Sequence, residues 1–397
     1  MLKCDIWITF PDGDKAPCGT ILCQDPDSRG WIEGAFRYAS GYLNDPRAFS
    51  LDPEVLPLSS REYPAKRSSG VHAVFEDCLP DDWGRRLLVR KADLERTRQS
   101  VPHLLLALGG SGLGALSFGS VEDNKIHSAE LVELPDILEA ALCFEQGKTV
   151  SDEGLRALFR AGSSPGGARP KVLVRDSDGI LWIAKFPSTR DTQPMVPIEA
   201  ATMELAKSAG LDVPETSMIA CGKRQVLLVR RFDVTTSGGR LHMISTQTLL
   251  RAEGWYNLGY TDLFSLMRKH SSRPEVDIPM LFRQMVFNAL IGNTDDHLKN
   301  FAMLHGSNGF FLSPAYDLLP DTAQRREHVL HFDYGHLFPG LEHLVHIGKT
   351  AGVKKAGEIA SQIRDVIRMW RDIYALFGVS TQEIEQLSTG IEKRLEP

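Results

Sequence analysis

Hydrophobic and polar positions follow two different patterns along the chain. Residues 1 to about 75 hold short apolar runs such as "DIWITF", separated by Gly, Pro and Asp, and this pattern predicts short strands joined by turns. Beyond about residue 236 the apolar residues recur at helical spacing, as in "DIPMLFRQMVFNALIGN". We therefore predict an α+β chain with a β-rich N-terminal part and a mainly helical C-terminal part.

The middle of the chain carries a hairpin pattern. Two β-rich runs, Val172–Val174 and Ile180–Phe186, flank an Asp-Gly turn. A loop of small residues, "SSPGGA" at 163–168, precedes the hairpin. An amphipathic helix, "PIEAATMELAKSAGLDVPE", follows it, and "QVLLVRRFD" is then typical of a buried strand.

Composition and charge narrow the class of protein. The 397 residues carry a net charge of −6, which argues against a broadly basic surface that coats nucleic acid. The six cysteines form no C-x-x-C pair, so we interpret them as reduced packing residues. The start reaches charge too early for a secretory leader, and no apolar run approaches the roughly 18 residues of a membrane span. We expect a cytoplasmic protein that does not interact with membranes.

The stretch "IGNTDDHLKNFAML", residues 291–304, gathers acidic, basic and amide side chains directly after an apolar helix. A helix cap needs only one such side chain, so the surplus indicates chemistry. Asp295 and Asn300 have the D-x-x-x-x-N spacing of a kinase catalytic loop, in which the aspartate is the base and the asparagine binds magnesium. Asp296 remains an alternative base. Asp317 follows a short strand and is suited to complete an oxygen-ligand Mg²⁺ site.

Two further residues of this stretch are assigned to the ATP-binding side of the loop. His297 is typical of a loop histidine that fixes neighbouring carbonyl groups, and Lys299 is placed to neutralise the transferred phosphate.

Upstream features follow the order that ATP-dependent phosphoryl transfer requires. The loop 163–168 lacks bulky side chains, so its backbone N–H groups can approach phosphates, and Lys171 lies at its edge. Lys185 lies on the second hairpin strand, where a kinase carries its phosphate-binding lysine. Glu199, early in the next helix, is suited to form an ion pair with that lysine. Each feature alone also has an ordinary structural interpretation, as a turn, a surface lysine or a helix-terminal acid.

Taken together, these residues resemble the HipA family of bacterial serine/threonine kinases, the toxin component of toxin–antitoxin systems. "NALIGNTDDHLKNF" is similar to the catalytic motif of the family, "SPAYDLLP" to its metal-binding segment and "SSPGGARPK" to its phosphate loop. "GALSFG" and "FEDCLPDDWGRRLL" extend the likeness to the N-terminal half.

The resemblance implies a two-lobed protein-kinase-like fold that uses ATP and Mg²⁺. It divides the chain into a HipA-type N-terminal subdomain (1–150), a kinase-like N-lobe (151–235) and a helical C-lobe (236–397). The residue roles that it implies are a base at Asp295, Mg²⁺ ligands at Asn300 and Asp317, and ATP contacts at Gly166, Gly167, Ala168, Lys171, Lys185, Val229 and Arg230.

The resemblance also implies regulation and partners. Ser164 corresponds to a serine that such kinases autophosphorylate, and the adjacent Ser163 is a second candidate; a phosphate there would expel the loop from the ATP site. The implied partners are a HipB-like helix-turn-helix antitoxin, DNA contacted mainly through that antitoxin, and a protein substrate related to translation, such as an aminoacyl-tRNA synthetase.

Three other functions are compatible with the sequence. One is a kinase-like enzyme that phosphorylates a small molecule. Another is a non-catalytic, kinase-shaped regulator that acts through a DNA-bound antitoxin. The third treats Asp295, Asp296 and His297 as ligands of a metal hydrolase, although consecutive loop side chains seldom converge on one ion.

Overall fold

The fold is taken from a computed structural model that describes residues 1–120, 126–161, 169–323, 325–333 and 335–396. The chain forms two compact units, and each is built from three separate segments. The first unit consists of Met1–Thr189, Arg230–Ile244 and Leu304–Ser307. The second consists of Arg190–Val229, Ser245–Met303 and Asn308–Pro397.

Strands are concentrated before residue 231. In the described part of the chain they are β1 (Leu2–Thr9), β2 (Lys15–Cys23), β3 (Gly34–Tyr38), β4 (Tyr63–Pro64), β5 (Leu116–Phe118), β6 (Ala129–Glu130), β7 (Lys171–Arg175), β8 (Leu181–Lys185), β9 (Thr216–Cys221), β10 (Arg224–Arg230), β11 (His242–Ser245), β12 (Ala302–Gly306) and β13 (Gly309–Leu312).

Helices occur throughout and dominate the C-terminal part. The described ones are α1 (Ser40–Leu43), α2 (Ala73–Glu76), α3 (Asp82–Lys91), α4 (Val101–Leu108), α5 (Leu134–Glu145), α6 (Asp152–Ala161), α7 (Met195–Ser208), α8 (Thr246–Leu249), α9 (Tyr260–His270), α10 (Pro274–Ile291), α11 (Leu341–Thr350), α12 (Ala356–Ile367), α13 (Trp370–Leu376) and α14 (Thr381–Leu395). None of the helices in these ranges is long and apolar enough to cross a membrane.

The first unit contains an antiparallel sheet with the strand order β4-β3-β2-β1-β5. Its interior strand β1 buries Cys4, Ile6 and Ile8, because alternate side chains of a strand point to the same face. The register of β1 with β2 shifts between Ile6 and Trp7, which marks a bulge. The predicted β-rich start of the chain is confirmed.

The predicted hairpin in the middle of the chain is also confirmed. β7 pairs antiparallel with β8, and β6 pairs parallel with β7 on its other side. The Asp176 carboxylate accepts hydrogen bonds from the N–H groups of Asp178 (3.0 Å) and Ile180 (2.9 Å) and so fixes the turn. Gly179 has a φ of +80°, the left-handed conformation that favours glycine in such turns.

A buried charge cluster fixes the glycine-rich segment that follows α4. Arg231 and Asp233 are almost fully buried and paired, with Arg231 Nε 2.9 Å from Asp233 Oδ1. Arg240, also buried, donates to Gly110 O (2.9 Å), and Gly114 N donates to Asp233 Oδ2 (2.7 Å). Burial would raise the pKa of the Asp233 carboxyl, but the two arginines and the hydrogen bonds outweigh burial and lower that pKa.

The second unit is organised around α10, a long and mostly buried helix that contacts α9, α11, α12 and α14. Its apolar residues cover most of the helix surface, as expected for a helix surrounded by neighbours. The helix ends at Gly292, whose φ of +77° gives the left-handed C-terminal cap that glycine favours. This end of α10 starts the loop that carries the clustered polar residues.

The predicted helical C-terminal part is confirmed, whereas the three-part division at residues 150 and 235 stays a prediction.

The buried cluster leads to a stability prediction. We expect Asp233→Ala to lower the free energy of unfolding by about 3–5 kcal/mol, because it leaves the buried Arg231 guanidinium without its paired carboxylate and removes the negative charge near the buried Arg240. Glu358→Ala is the control: its ion pair with Lys355 is largely exposed, and we expect a change within about 0.5 kcal/mol. Urea titrations of the three proteins measure both effects. Equal midpoints for wild type and Asp233→Ala would contradict the assigned role.

Candidate functional site

The clustered polar residues lie in the 292–301 loop, which begins at the end of α10. Asn293 N donates to Asn288 O (2.9 Å), and the Asn293 side chain donates to Asn288 Oδ1 (3.1 Å), so the loop start is tied to the last turns of the helix. The short 3₁₀ turn Leu298–Asn300 then ends the loop. The 292–301 loop is therefore fixed at both ends by local backbone geometry.

The adjacent aspartates of this loop have opposite environments. Asp295 is exposed, whereas Asp296 is fully buried and both of its oxygens accept hydrogen bonds. The donors to Asp296 are the Tyr260 hydroxyl (2.6 Å), His328 Nδ1 (3.1 Å), Val329 N (2.9 Å) and Leu330 N (3.3 Å). Asp296 is thus engaged in structure, while the Asp295 carboxylate faces solvent. This arrangement favours Asp295 over Asp296 as a base, and it removes Asp296 as a ligand for the metal-hydrolase alternative.

The Asn300 side chain has a defined orientation. Its Nδ2 donates to Asp295 O (2.9 Å), and its backbone N–H donates to His297 O (2.9 Å). Because Nδ2 is committed to the loop backbone, Oδ1 is the atom of the amide that can accept from a donor or bind a cation. His297 is half-buried and contributes its carbonyl to this turn, while Lys299 is exposed.

Asp317 is brought to the same loop by the residue before it. The Tyr316 hydroxyl donates to Lys299 O (2.6 Å), and Ser313 N donates to Ala302 O (2.9 Å). The segment that carries Asp317 therefore lies against the turn that carries Asn300. Asp317 has a φ of +57°, which is uncommon for a residue other than glycine, and such strain is found preferentially at functional sites.

The donor set at this place fits magnesium. Asn300 Oδ1 and the Asp317 carboxylate are hard oxygen donors on adjoining segments, and Mg²⁺ is usually bound in proteins by one or two carboxylates together with substrate phosphates. Tyr256 lies close by, since its hydroxyl accepts a hydrogen bond from Leu298 N (3.3 Å). Burial raises the pKa of Tyr256, and the negative charges of Asp296 and Asp295 raise it further.

Two lysines of the first unit form a second candidate group. Lys171 begins β7, Lys185 ends β8, and the two residues are direct partners in the antiparallel register. Cross-strand partners have Cβ atoms about 4.5–5.5 Å apart, so the two lysine side chains leave the sheet on the same face. Lys171 is buried and Lys185 is half-buried. The pair therefore places two cationic side chains side by side at the end of the hairpin.

The segment directly after β8 is fixed by a buried carboxylate. Glu145, at the end of α5, accepts hydrogen bonds from Ser188 Oγ (2.5 Å), Thr189 N (2.8 Å) and Thr189 Oγ1 (2.9 Å). This contact stabilises the chain three residues beyond Lys185.

The remaining predicted residues are placed as follows. Glu199 is buried on α7, and its predicted ion pair with Lys185 stays a prediction. The Val229 side chain packs in a hydrophobic cluster with Val196, Ala200 and Leu227, so it serves the core of the second unit. Arg230 is half-buried at the end of β10. The predicted loop residues Ser163, Ser164, Gly166, Gly167 and Ala168 lie outside the described residues.

Sequence reasoning missed the residues that support the loop, namely Tyr256, Tyr260, Tyr316 and His328. None of them belongs to a spaced motif around residue 295, and Tyr260 and His328 are 36 and 32 residues from Asp296. Only Tyr316 stood next to a predicted site residue, in "AYDLLP".

Comparison with known proteins places two family models along the chain. The family model for the HipA-like C-terminal domain matches residues 163–372, and that for the HipA N-terminal domain matches residues 15–119. "Putative kinase Y4mE" of Sinorhizobium fredii is 28% identical over 77% of this chain and 76% of its own length. The "Serine/threonine-protein kinase toxin HipA" of Shewanella oneidensis is 29% identical over 30% of this chain and 33% of its own length.

A solved structure matches the fold over nearly the whole chain. It is HipA from the Shewanella oneidensis MR-1 complex of HipA, HipB and operator DNA, with a TM-score of 0.68, 18% identity, and coverage of 98% of this chain and 96% of that one. The fold is therefore a mixed α/β fold of the HipA type, and the predicted fold class is confirmed. Since the C-terminal family model spans more than half of the sequence, the chain belongs to the HipA family.

The contrast between the two aspartates is open to a direct test. We expect Asp296→Ala to lower the free energy of unfolding by about 3–5 kcal/mol, because it leaves four donors without an acceptor. The matched variant Asp295→Ala removes an exposed carboxylate, and we expect a change within about 0.5 kcal/mol. Denaturant unfolding measures both, and similar losses in the two variants would contradict the difference in their roles.

Proposed function

We propose that this chain is an ATP- and Mg²⁺-dependent serine/threonine protein kinase and the toxin of a HipA-type toxin–antitoxin pair. The observation that supports this most directly is the Tyr316 hydrogen bond to Lys299 O, which sets the Asp317 segment beside Asn300 and the exposed Asp295. A base, an amide oxygen and a carboxylate on adjoining segments are the parts that kinase chemistry needs from this part of the protein. Family membership supports the same function.

The proposed roles follow from the environment of each side chain. Bound Mg²⁺–ATP would supply the transferable phosphoryl group and the cation that neutralises its charge. Asp295, exposed and adjacent to a rigidly held residue, orients the substrate hydroxyl and accepts its proton. Asn300 and Asp317 hold the cation through oxygen atoms, and the Lys171–Lys185 pair holds phosphates.

Other parts of the nucleotide site are proposed from the family resemblance. His297 and Lys299 line the ATP side of the loop, and the glycine loop around Gly166 contacts phosphates. Glu199 orients Lys185, and the chain at Val229 and Arg230 lies near the adenine. Autophosphorylation of Ser164 or Ser163 switches the enzyme off by the added negative charge.

The proposed partners are those of a toxin–antitoxin system. The solved HipA structure of similar fold was determined together with HipB and operator DNA, which supports a HipB-like helix-turn-helix antitoxin for this chain. DNA contact would then be mainly indirect, in keeping with the net charge of −6. We propose a translation-related protein substrate of the aminoacyl-tRNA synthetase class and a cytoplasmic location.

The kinase proposal predicts a pattern of loss among variants. With ATP and Mg²⁺, we expect wild type to label itself at Ser163 or Ser164, and Asp295→Ala to lower the rate by about 10²–10⁴-fold. Asp317→Ala should abolish both labelling and the rise in Tm that ATP–Mg²⁺ gives wild type. Phosphopeptide mass spectrometry and thermal shifts provide the measurements.

The control is Asp372→Ala, an exposed aspartate of α13 in the same unit, which should behave as wild type. Unchanged labelling and nucleotide stabilisation in the Asp295 and Asp317 variants would refute the site. A wild-type protein that neither binds ATP nor transfers phosphate would refute the kinase proposal as a whole.

A further inference from the structure

A continuous chain of buried polar groups runs from α10 to the buried aspartate of the 292–301 loop. The Asn293 side chain donates to Asn288 Oδ1 (3.1 Å), and Asn288 Nδ2 donates to the Tyr260 hydroxyl (3.2 Å). That hydroxyl in turn donates to Asp296 Oδ2 (2.6 Å). All four side chains are buried, so each hydrogen bond is worth more than the same bond in water.

The Tyr260 hydroxyl is held in place by packing of its ring. The ring stacks on Phe332, with centroids 5.3 Å apart, and meets Phe301 edge-on at 5.9 Å. Its backbone is fixed as well, because Tyr260 N donates to His331 O (3.1 Å). Gly259 permits this contact: a Cβ atom there would come within 2.2 Å of His331 O. The Tyr260 side chain is therefore a rigid support.

His328 supports the same carboxylate from another segment. Its ring is fully buried against Phe332, with centroids 5.0 Å apart, and Nδ1 lies 3.1 Å from Asp296 Oδ2. An ionised carboxylate only accepts hydrogen bonds, so Nδ1 carries the proton in this contact. The backbone of His328 is held in turn, since its N–H donates to His336 O (2.8 Å) and its carbonyl accepts from His336 Nδ1 (3.0 Å).

The hydrogen bonds to Asp296 also restrict the position of Asp295. Asp295 precedes Asp296 directly, and its own carbonyl accepts the Asn300 side chain (2.9 Å). The backbone on both sides of the exposed carboxylate is thus fixed, although the carboxylate itself touches none of these supports. A shift of Asp296 would move Asp295 and the Asn300 amide together.

We propose that Tyr260 and His328 are positioning residues for phosphoryl transfer, which act by holding Asp296 and thereby the Asp295 carboxylate and the Asn300 amide in reactive geometry. The inference rests on the kinase function proposed above and adds to it the residues that determine the placement of the base. Misplacement of a reacting group by about 1 Å can cost roughly 10²-fold in rate without loss of substrate binding. The maximal rate should therefore respond to these two residues more strongly than nucleotide affinity, to which Asp317 is proposed to contribute independently of these contacts.

The chain offers a matched control for the tyrosine. Tyr374 is also fully buried, and its hydroxyl makes a short hydrogen bond with Thr202 Oγ1 (2.7 Å), comparable in length to the bond from Tyr260 to Asp296 (2.6 Å). Tyr374 lies in α13, which packs against α7, and its hydroxyl bonds to Thr202 of that helix and not to the 292–301 loop. Tyr260→Phe and Tyr374→Phe therefore remove the same kind of group at similar burial. Both should lower Tm by a few degrees, but only one should affect the reaction.

The experiment compares phosphoryl transfer from labelled ATP to the chain itself or to water. For Tyr260→Phe we expect the maximal rate to fall by about 10- to 100-fold, with the half-saturating ATP concentration within about twofold of wild type. Tyr374→Phe should keep the wild-type rate at temperatures where both variants are folded. Hydrogen–deuterium exchange should be faster in peptides covering 292–301 and 328–332 for Tyr260→Phe only.

The histidine gives an independent test by rescue. His328→Asn keeps an N–H donor near the position of Nδ1, whereas His328→Leu removes it at similar volume. We expect His328→Leu to lower the maximal rate by about 10-fold or more and His328→Asn to recover most of it.

The two proposals fail in different ways. If wild type transfers phosphate while Tyr260→Phe and Tyr374→Phe have equal rates, or His328→Leu and His328→Asn are equally active, the positioning role is overturned and the kinase function stands. An inactive, well-folded wild type overturns the kinase function and with it the positioning role. Equal hydrogen exchange of the 292–301 peptides in both tyrosine variants overturns the proposed support itself.

Discussion

The candidate site depends on the burial of one charge, the carboxylate of Asp296. Removing an ionised carboxylate from water costs several kcal/mol unless hydrogen bonds replace its hydration. Here the replacements come from the start of α9 and from residues 328–330, which are far from the loop in sequence. The loop is therefore well formed only when α9, the 328–330 segment and the end of α10 are all in place. One buried charge makes three separate segments interdependent.

Asp295 carries the same carboxylate group as Asp296 but lies in the opposite environment. Asp295 is left exposed by a backbone that buries Asp296, so a single step along the chain separates a structural carboxylate from one that faces solvent. The first unit shows the same physical rule with other residues. Its buried Asp233 is neutralised by arginines, and those arginines also satisfy carbonyl groups of a glycine-rich segment. In both units a buried carboxylate organises backbone that has no regular secondary structure.

The sequence predicted the local features well and the long-range ones poorly. Short-range sequence patterns are sufficient to predict three features: the Asp178-Gly179 turn, the helix that contains Glu199 and the helical C-terminal part. The spacing of Asp295 and Asn300 was also visible, although their roles remain predictions. The Tyr260 and His328 contacts with Asp296 could not be predicted, because no periodicity links residues more than 30 positions apart. The Arg231–Asp233–Arg240 cluster could not be predicted for the same reason, since its partners at Gly110–Gly114 are over 100 residues away.

The interleaved composition of the two units has a consequence for biosynthesis. Arg231, Asp233 and Arg240 belong to the first unit, yet they follow a segment of the second unit, 190–229, in the chain. While a ribosome has made only the first 189 residues, the carbonyl groups of Gly110 and Gly112 lack the guanidinium groups that will bind them. Neither unit can mature as a contiguous N-terminal or C-terminal fragment. The nascent chain must postpone completion of its first unit until residue 307 has emerged, which lengthens the interval in which the apolar surface of that unit is incompletely covered.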